Sequence, residues 1–272
     1  MSLVISSDAD RFRWRAEDVE VFELANGWRE RVVRRPNGVT VHTILDADGV
    51  PIRRWRVLPD GREVTLFNNL PGWWDEASVV IREPLPVVRE RIIIEPSRAP
   101  VQAVYDAVVA EPQADLNRTY TLNQILANEG LRAVMPRIDV DTITFATGSA
   151  EVPETQIDAL EAIGVAIETA VQDDPAEVFL VEGHTDAVGS ELSNLELSDR
   201  RATSVAQILT EFFEIPPENL VTQGFGEAYL KVATQGASQE NRRVTLRRIT
   251  PLLSTEDRIA GLADEGVPQR IQ

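Results

Sequence analysis

Two kinds of hydrophobic pattern follow one another along the chain. Between residues 28 and 70, short runs of β-branched and aromatic residues alternate with arginines, which is typical of strands with one face toward water. Three turn signals separate the runs: Asn37-Gly38, Asp48-Gly49 and Asp60-Gly61. The pattern predicts an antiparallel β-meander, with strands at 39–45, 52–58 and 64–67, inside a β-rich accessory region that spans residues 1–96.

The next stretch, residues 97–137, has a helical pattern. Val101, Val104 and Val108 recur at helical spacing, and Thr121 with Gln124 resembles a capping box at the start of a second helix. Pro136 then ends the helical pattern. We predict a helical connector over this stretch.

From residue 138 onward, strand and helix patterns alternate. Pro153 opens one predicted helix, and Ser193 with Glu196 forms a predicted capping box for another. The predicted strands lie at 142–146, 177–182, 220–224 and 243–247. The sequence therefore predicts an α+β chain: the β-meander, the helical connector, a C-terminal α/β sandwich of βαβαβ type over residues 138–250, and a polar tail, residues 251–272.

Charge and composition exclude several classes of function. The formal net charge is −17, of which residues 1–100 carry −1 and residues 101–272 carry −16. This acidity argues against nucleic acid or an anionic membrane surface as the main ligand. The chain has no Cys, which excludes disulfides and thiol catalysis, and its two His are too far apart for an ordinary zinc site. We predict no metal, no cofactor and no membrane-spanning segment, because no apolar run approaches the roughly 18 residues required.

One cluster of polar residues suggests a binding site. Asp186 directly follows a strand of the buried type, so its carboxylate belongs at the strand's C-terminal end, where open α/β sheets place ligands. Asn194, Leu197 and Arg201 share one face of the following helix. A carboxylate and a guanidinium at one cleft suit a zwitterion such as an amino-acid head group, with Thr185 and Asn194 beside it. The alternative is that Asp186 and Arg201 simply pair with each other.

Several separated motifs resemble, in order and spacing, the outer-membrane-protein-A-like (OmpA-like) peptidoglycan-binding domain. They are Gly183-His-Thr-Asp186, Asn194, Leu197-Ser198, Arg201-Ala202, Gln223-Gly-Phe-Gly-Glu227 and Asn241-Arg-Arg-Val244. The resemblance covers about residues 138–250 and implies an α/β sandwich whose ligand is the diaminopimelate of the peptidoglycan stem peptide. It also implies that Asp186 takes the ammonium and Arg201 the carboxylate, with Asn194, Thr185 and Leu197 lining the site. The role of Arg242 stays open.

One position departs from the family pattern. The loop after the first strand often carries an Asp or Asn that faces the ligand, and this chain has Gly148 there. Only the backbone of Gly148 can contribute to the site.

The resemblance implies a non-enzymatic module that anchors an envelope protein to the cell wall. We expect a periplasmic setting in a Gram-negative cell, an export signal upstream in a longer parent chain, and an envelope partner for residues 1–100. One alternative is a structural subunit of a stator or secretion system with the same fold. A cell-wall hydrolase is the other, but Arg201 beside Asp186 would oppose the raised pKa that a catalytic acid needs.

Overall fold

The computed structural model describes residues 9–25, 27–69 and 91–254, and in addition residues 81, 85 and 88. The chain forms two compact units whose residue ranges interleave. We name the first the meander unit; it holds the described residues of Ala9–Pro86, Asp115–Arg132 and Thr250–Gln272. The second, the sandwich unit, holds those of Val87–Ala114 and Ala133–Ile249.

The described helices and strands follow one another in this chain order: α1 (Ala9–Arg13), β1 (Asp18–Glu23), β2 (Arg29–Arg34), β3 (Thr40–Leu45), β4 (Pro51–Val57), β5 (Glu63–Asn68), β6 (Ile93–Ile94), α2 (Val101–Val108), α3 (Leu122–Ala127), α4 (Glu129–Arg132), β7 (Arg137–Asp139), α5 (Glu161–Asp173), β8 (Phe179–Gly183), α6 (Glu191–Phe213), β9 (Leu220–Gly224) and β10 (Val244–Arg248). Short 3-10 turns lie at Glu154–Gln156, Asp158–Leu160, Pro217–Asn219 and Thr250–Leu252.

The meander unit contains one antiparallel sheet in which neighbouring strands are consecutive in sequence, in the order β1-β2-β3-β4-β5. The three predicted turns join β2 to β5, and their glycines, Gly38, Gly49 and Gly61, all have positive φ, as tight hairpin turns require. The predicted meander is therefore confirmed. It also includes β1, which lies ahead of the predicted region and pairs along its whole length with β2.

The arginines of the meander do not all face water, and the predicted wet face is wrong for Arg31, Arg54 and Arg56, which are buried. Arg31 and Arg54 lie against the ring of Phe12, with guanidinium carbons 4.3 and 4.7 Å from its centroid. Arg54 is buried and its Nε donates to Thr43 Oγ1 at 3.3 Å. The apolar ring faces and the hydroxyl replace water around the two guanidiniums, which is why they tolerate burial.

The sandwich unit contains a mixed sheet in the order β6-β7-β10-β8-β9. β8 and β9 are parallel and α6 connects them, which makes a βαβ crossover. Helices α2, α5 and α6 share one hydrophobic core with alternate residues of the strands, among them Ile138, Val181 and Leu246. The predicted combination of a meander and a C-terminal α/β unit is confirmed.

The predicted strand at 142–146 is wrong, because the strand of this region is β7. The backbone of residues 144–146 forms hydrogen bonds with side chains and does not pair with a neighbouring strand. Gln156 Oε1 accepts from Thr144 N at 2.9 Å, and Arg242 Nε and Arg201 Nη2 donate to the carbonyls of Phe145 and Ala146 at 3.3 Å each. The segment is consequently a loop whose shape depends on residues far along the chain.

Helix starts follow the sequence signals in one case and depart from them in two. The capping box of Thr121 and Gln124 is confirmed at α3. The predicted box of Ser193 and Glu196 is wrong, because α6 begins earlier and Ser190 caps it by accepting from Ser193 N at 3.2 Å. Pro153 opens 3-10 turns, and α5 itself begins at Glu161.

The predicted connector, 97–137, contributes to both units. Its first helix, α2, packs in the core of the sandwich unit, whereas α3 and α4 belong to the meander unit. At the other end of the chain, Ser254 N donates to Tyr120 O at 2.8 Å within the meander unit. The rest of the predicted polar tail, residues 255–272, lies outside the described residues.

Helix α6 approaches the ends of β8 and β9 so closely that only glycine fits beneath it. A Cβ added at Gly183 would lie 1.8 Å from Ser198 O, and one at Gly224 would lie 2.5 Å from Asp199 N. Ser198 is fully buried at this contact and its Oγ accepts from Gly226 N at 2.8 Å. The N-terminal half of α6 is thereby held against the strand ends where Asp186 follows β8.

Within the ranges that the structure describes, none of the helices combines the length and the apolar character that crossing a membrane requires.

We predict that Gly183→Ala destabilises the protein by at least about 3 kcal/mol, because the new methyl group overlaps the α6 backbone, which cannot move aside cheaply. The matched control is Gly236→Ala, at an exposed position where the nearest atom to an added Cβ is 3.7 Å away. We expect the control to change the free energy of unfolding by less than about 0.5 kcal/mol. Denaturant unfolding measures both; equal stability of the two variants would contradict the close approach of α6.

Candidate functional site

The candidate site lies where the loop after β8 meets the N-terminal half of α6. Backbone hydrogen bonds fix this loop from two sides: His184 N donates to Arg243 O and Thr185 N donates to Gly226 O, each at 2.9 Å. Asp186 follows directly, as predicted from the strand pattern. The loop therefore presents its carboxylate from a rigid support.

Asp186 is buried and its carboxylate accepts three hydrogen bonds from described residues. Arg242 Nη1 donates to Oδ2 at 2.8 Å, and the backbone N of Ser238 donates to the same oxygen at 3.2 Å. Val188 N donates to Oδ1 at 3.4 Å. Burial by itself raises the pKa of Asp186, but the hydrogen bonds from Arg242, Ser238 and Val188 outweigh it and hold that pKa below its ordinary value. The carboxylate is therefore charged at neutral pH and suited to a cationic partner.

Arg201 is completely buried and bonds to backbone carbonyls. Its Nε donates to Ser149 O at 2.9 Å, Nη1 to His184 O at 3.1 Å and Nη2 to Ala146 O at 3.3 Å. The guanidinium also lies 5.0 Å from the centroid of the Phe145 ring. These contacts join the 145–149 loop to the loop after β8, so Arg201 holds both loops of the site together.

The environment of Arg201 disfavours its positive charge. Burial is the largest cause, and repulsion from Arg242 adds to it, while attraction to Asp186 opposes both; together they lower the pKa of Arg201 to about 10. Across the described ranges of the chain, no carboxylate forms an ion pair with this guanidinium. A cation in such a place is stabilised by any anion that reaches it.

The direct Asp186–Arg201 ion pair, which the sequence left open as the alternative, is not what the structure shows. Asp186 pairs with Arg242, and Arg201 bonds to carbonyls. Sequence reasoning left the role of Arg242 open, because only the fold brings this residue, 56 positions along the chain, to the carboxylate. Its neighbour Arg243 faces elsewhere and donates to Tyr229 O at 2.9 Å.

The other predicted site residues lie around Asp186 and Arg201, and they differ in burial and in hydrogen bonding. Asn194 is buried and its Nδ2 donates to Glu227 Oε2 at 2.7 Å. Thr185 is also buried, and its Oγ1 has no hydrogen-bond partner among the described residues. Leu197 is half-buried on the same face of α6. Gly148 has φ of +74° with open space where a Cβ would be, so the loop there exposes backbone only.

His184 supports the loop through its ring and its backbone. The ring stacks on Phe225 with centroids 5.9 Å apart, and its carbonyl is one of the three that bond Arg201. Within the described ranges, no group of three or more His, Cys, Asp or Glu side chains has a geometry that would hold a metal ion.

Comparison with known proteins relates one segment of the chain to a known family. Residues 144–244 match the model of the OmpA family, which confirms the resemblance inferred from the motifs. The chain is 40% identical over 74 residues to the putative lipoprotein YfiB of Escherichia coli, covering 26% of this chain and 46% of that protein. It is 33% identical over 73 residues to outer membrane porin F of Pseudomonas aeruginosa, covering 27% of this chain and 20% of that protein.

These alignments span less than half of either relative's own length. Among solved structures, the peptidoglycan-associated lipoprotein of Burkholderia pseudomallei aligns with 39% of this chain and 86% of its own, at 17% identity and a TM-score of 0.32.

We predict that Asp186 makes stability depend on pH in the acid range. Because its folded-state pKa lies below the ordinary 3.8, its charge stabilises the folded protein above that pH, and the contribution is lost as the pH falls through the lowered pKa. The difference in unfolding free energy between the natural protein and Asp186→Asn should be constant above about pH 5 and shrink below about pH 4.

Denaturant unfolding across this pH range measures the difference. In an Arg242→Gln background, which lacks the main donor to Asp186, the pH-dependent part should be smaller. A difference that stays constant down to about pH 2 would contradict the lowered pKa.

Proposed function

We propose that the OmpA-family domain of this chain, residues 144–244, binds peptidoglycan without cleaving it. In this proposal the ligand is the zwitterionic end of diaminopimelate in the stem peptide, where an amino group and a carboxylate share one carbon. Asp186 takes the ammonium and Arg201 takes the carboxylate. The match to the OmpA family supports the assignment.

The observation that carries the proposal is the state of the Arg201 guanidinium. An arginine has five N–H donors, and backbone carbonyls occupy one on Nε, one on Nη1 and one on Nη2. One N–H remains on each Nη, and a carboxylate that reached them could accept from both. A ligand carboxylate would thus supply the anion that this buried cation lacks among the described residues.

The ammonium of the ligand would meet a prepared acceptor. Asp186 is held charged by its hydrogen bonds, and the ammonium would replace Arg242 at Oδ2. The Thr185 hydroxyl, buried and without a partner among the described residues, would complete the hydrogen bonding of the head group. Asn194 would contribute through its carbonyl oxygen, since Glu227 holds its amide nitrogen; Leu197 would cover the apolar methylenes, and Gly148 would offer backbone.

Binding, not hydrolysis, fits the electrostatics of the site. A carboxyl group that donates a proton in glycan cleavage needs a raised pKa, and the pKa of Asp186 is lowered. Within the proposal the domain therefore attaches the chain to the wall in the periplasm. The 40% identity over 68 residues to the outer-membrane lipoprotein YfiB of Pseudomonas aeruginosa supports an envelope location. The meander unit would serve an envelope partner.

We predict saturable binding of a diaminopimelate-containing stem peptide, measured by isothermal titration calorimetry. A lysine-type stem peptide, which has the amino group of the zwitterion but lacks its carboxylate, should bind roughly 30-fold or more weakly. Asp186→Asn should reduce affinity by a similar factor, because it leaves the ligand ammonium without its counter-charge. Arg201→Lys should also weaken binding, because a lysine keeps the charge but cannot offer two parallel N–H groups to one carboxylate.

The matched control is Arg200→Ala, since Arg200 neighbours Arg201 but is exposed and lies about 100° round α6 from it. We expect it to bind as the natural protein does. Failure of the natural, folded protein to bind the diaminopimelate peptide at millimolar concentration would overturn the proposed function.

A second prediction concerns whole sacculi. The protein should sediment with purified Gram-negative peptidoglycan, and Asp186→Asn should remain in the supernatant. Chromatography of the soluble fraction should show no muropeptides released on prolonged incubation. Time-dependent release by the natural protein, absent in Asp186→Asn, would instead establish a hydrolase.

A further inference from the structure

A broad cleft lies beside the candidate site, entirely within the sandwich unit. Its volume is about 910 Å³, and segments 95–98, 139–144 and 231–243 contribute its lining. Ser238 and Arg242 belong to this lining, and both also bond to the Asp186 carboxylate. The cleft and the candidate site therefore share a wall, and a ligand held at Asp186 would have room to continue into the cleft.

Four charged groups of the cleft, Lys231, Glu95, Asp139 and Arg98, pair with one another. Lys231 Nζ lies 2.5 Å from Glu95 Oε1 and 2.9 Å from Asp139 Oδ2. Burial alone lowers the pKa of Lys231, but these two carboxylates outweigh it and raise that pKa. Arg98 pairs with Glu95 at 2.7 Å, and Ser97 bonds to Asp141. These pairs leave Glu95, Asp139 and Lys231 little capacity for a ligand.

Arg242 is different because it combines partial access with unused donors. Its Nε donates to Phe145 O and its Nη1 to Asp186, while its Nη2 donates to no described residue. Its side chain is 13% exposed, whereas Arg201 is fully buried. Arg242 thus presents N–H groups at the wall of the cleft.

The charges nearest to Asp186 are also unbalanced. Two cations, Arg201 and Arg242, lie beside this one carboxylate and so close together that Arg242 lowers the pKa of Arg201, whereas the carboxylate of Glu227 is bonded to Asn194. A zwitterion adds one charge of each sign and leaves the excess positive charge in place. A ligand with one further carboxylate would neutralise it.

We infer that Arg242 recognises a second carboxylate of the ligand, located on the part of the peptide that enters the cleft. The inference rests on the proposed function and assigns Arg242 as a specificity-determining residue of that site. The ligand ammonium replaces Arg242 on Asp186, and Arg242 then pairs with the second carboxylate. The ligand class is accordingly an acidic peptide that has a zwitterionic centre either at its end or next to its acidic residue.

The test uses calorimetry with the alanyl-γ-glutamyl-diaminopimelate tripeptide. This peptide has two carboxylates outside the zwitterion, and each is converted to the amide in turn while the zwitterion is kept. We expect one of the two amides to bind the natural protein about tenfold more weakly than the acid. Arg242→Gln should bind the acid about tenfold more weakly than the natural protein does, and should no longer distinguish that amide from the acid.

The matched control is Arg98→Gln, which removes an exposed arginine of the same cleft that pairs with Glu95. It should keep the full preference for the acid. If neither amide weakens binding to the natural protein, or if Arg242→Gln keeps the preference, the role of Arg242 is overturned while the proposed function stands. If the natural protein binds neither the acid nor the amides, the proposed function itself fails, and this inference fails with it.

Discussion

The site depends on one steric constraint, the contact of helix α6 with the ends of two parallel strands. Gly183 and Gly224 have no side chain, so the helix backbone at Ser198 lies directly on the sheet. Three residues further along the same helix face, Arg201 is carried beneath the loop that follows β8. A helix that sat one side chain further out would separate Arg201 from that loop, and the two loops of the site would lose their common support.

An arginine can hold loops together by bonding to backbone carbonyls, or it can take part in a charged centre, and which it does depends on where its N–H groups find acceptors. Buried arginines that bond to carbonyls are common in this chain; Arg35 donates to Phe12 O and Trp14 O, and Arg132 to Ile125 O and Leu126 O. Such bonding alone therefore marks a structural role. Arg201 differs because it adds a nearby carboxylate and a second guanidinium, which together make a polar centre that a ligand can complete.

Sequence patterns predicted what depends on local or family-specific residues, and missed what depends on distant partners. The periodicity located β8 and α6, and the spacing of Asp186 and Arg201 predicted that the two residues lie near each other, because one strand end and one helix face fix their positions. The 142–146 loop and the pairing of Arg242 were not predictable in this way. Both are decided by side chains that reach across the fold to satisfy particular backbone and carboxylate groups.

The Asp186–Arg242 ion pair has a consequence for how an attachment of this kind behaves. Before any ligand arrives, the carboxylate already has a cationic partner, so an incoming ammonium exchanges one ion pair for another instead of creating a new one. If the domain binds peptidoglycan as proposed, each individual contact with the polymer would therefore be weak and quickly reversed. Firm attachment would then arise from many such contacts at high local concentration, and a tethered protein would stay on the polymer while its points of contact keep changing.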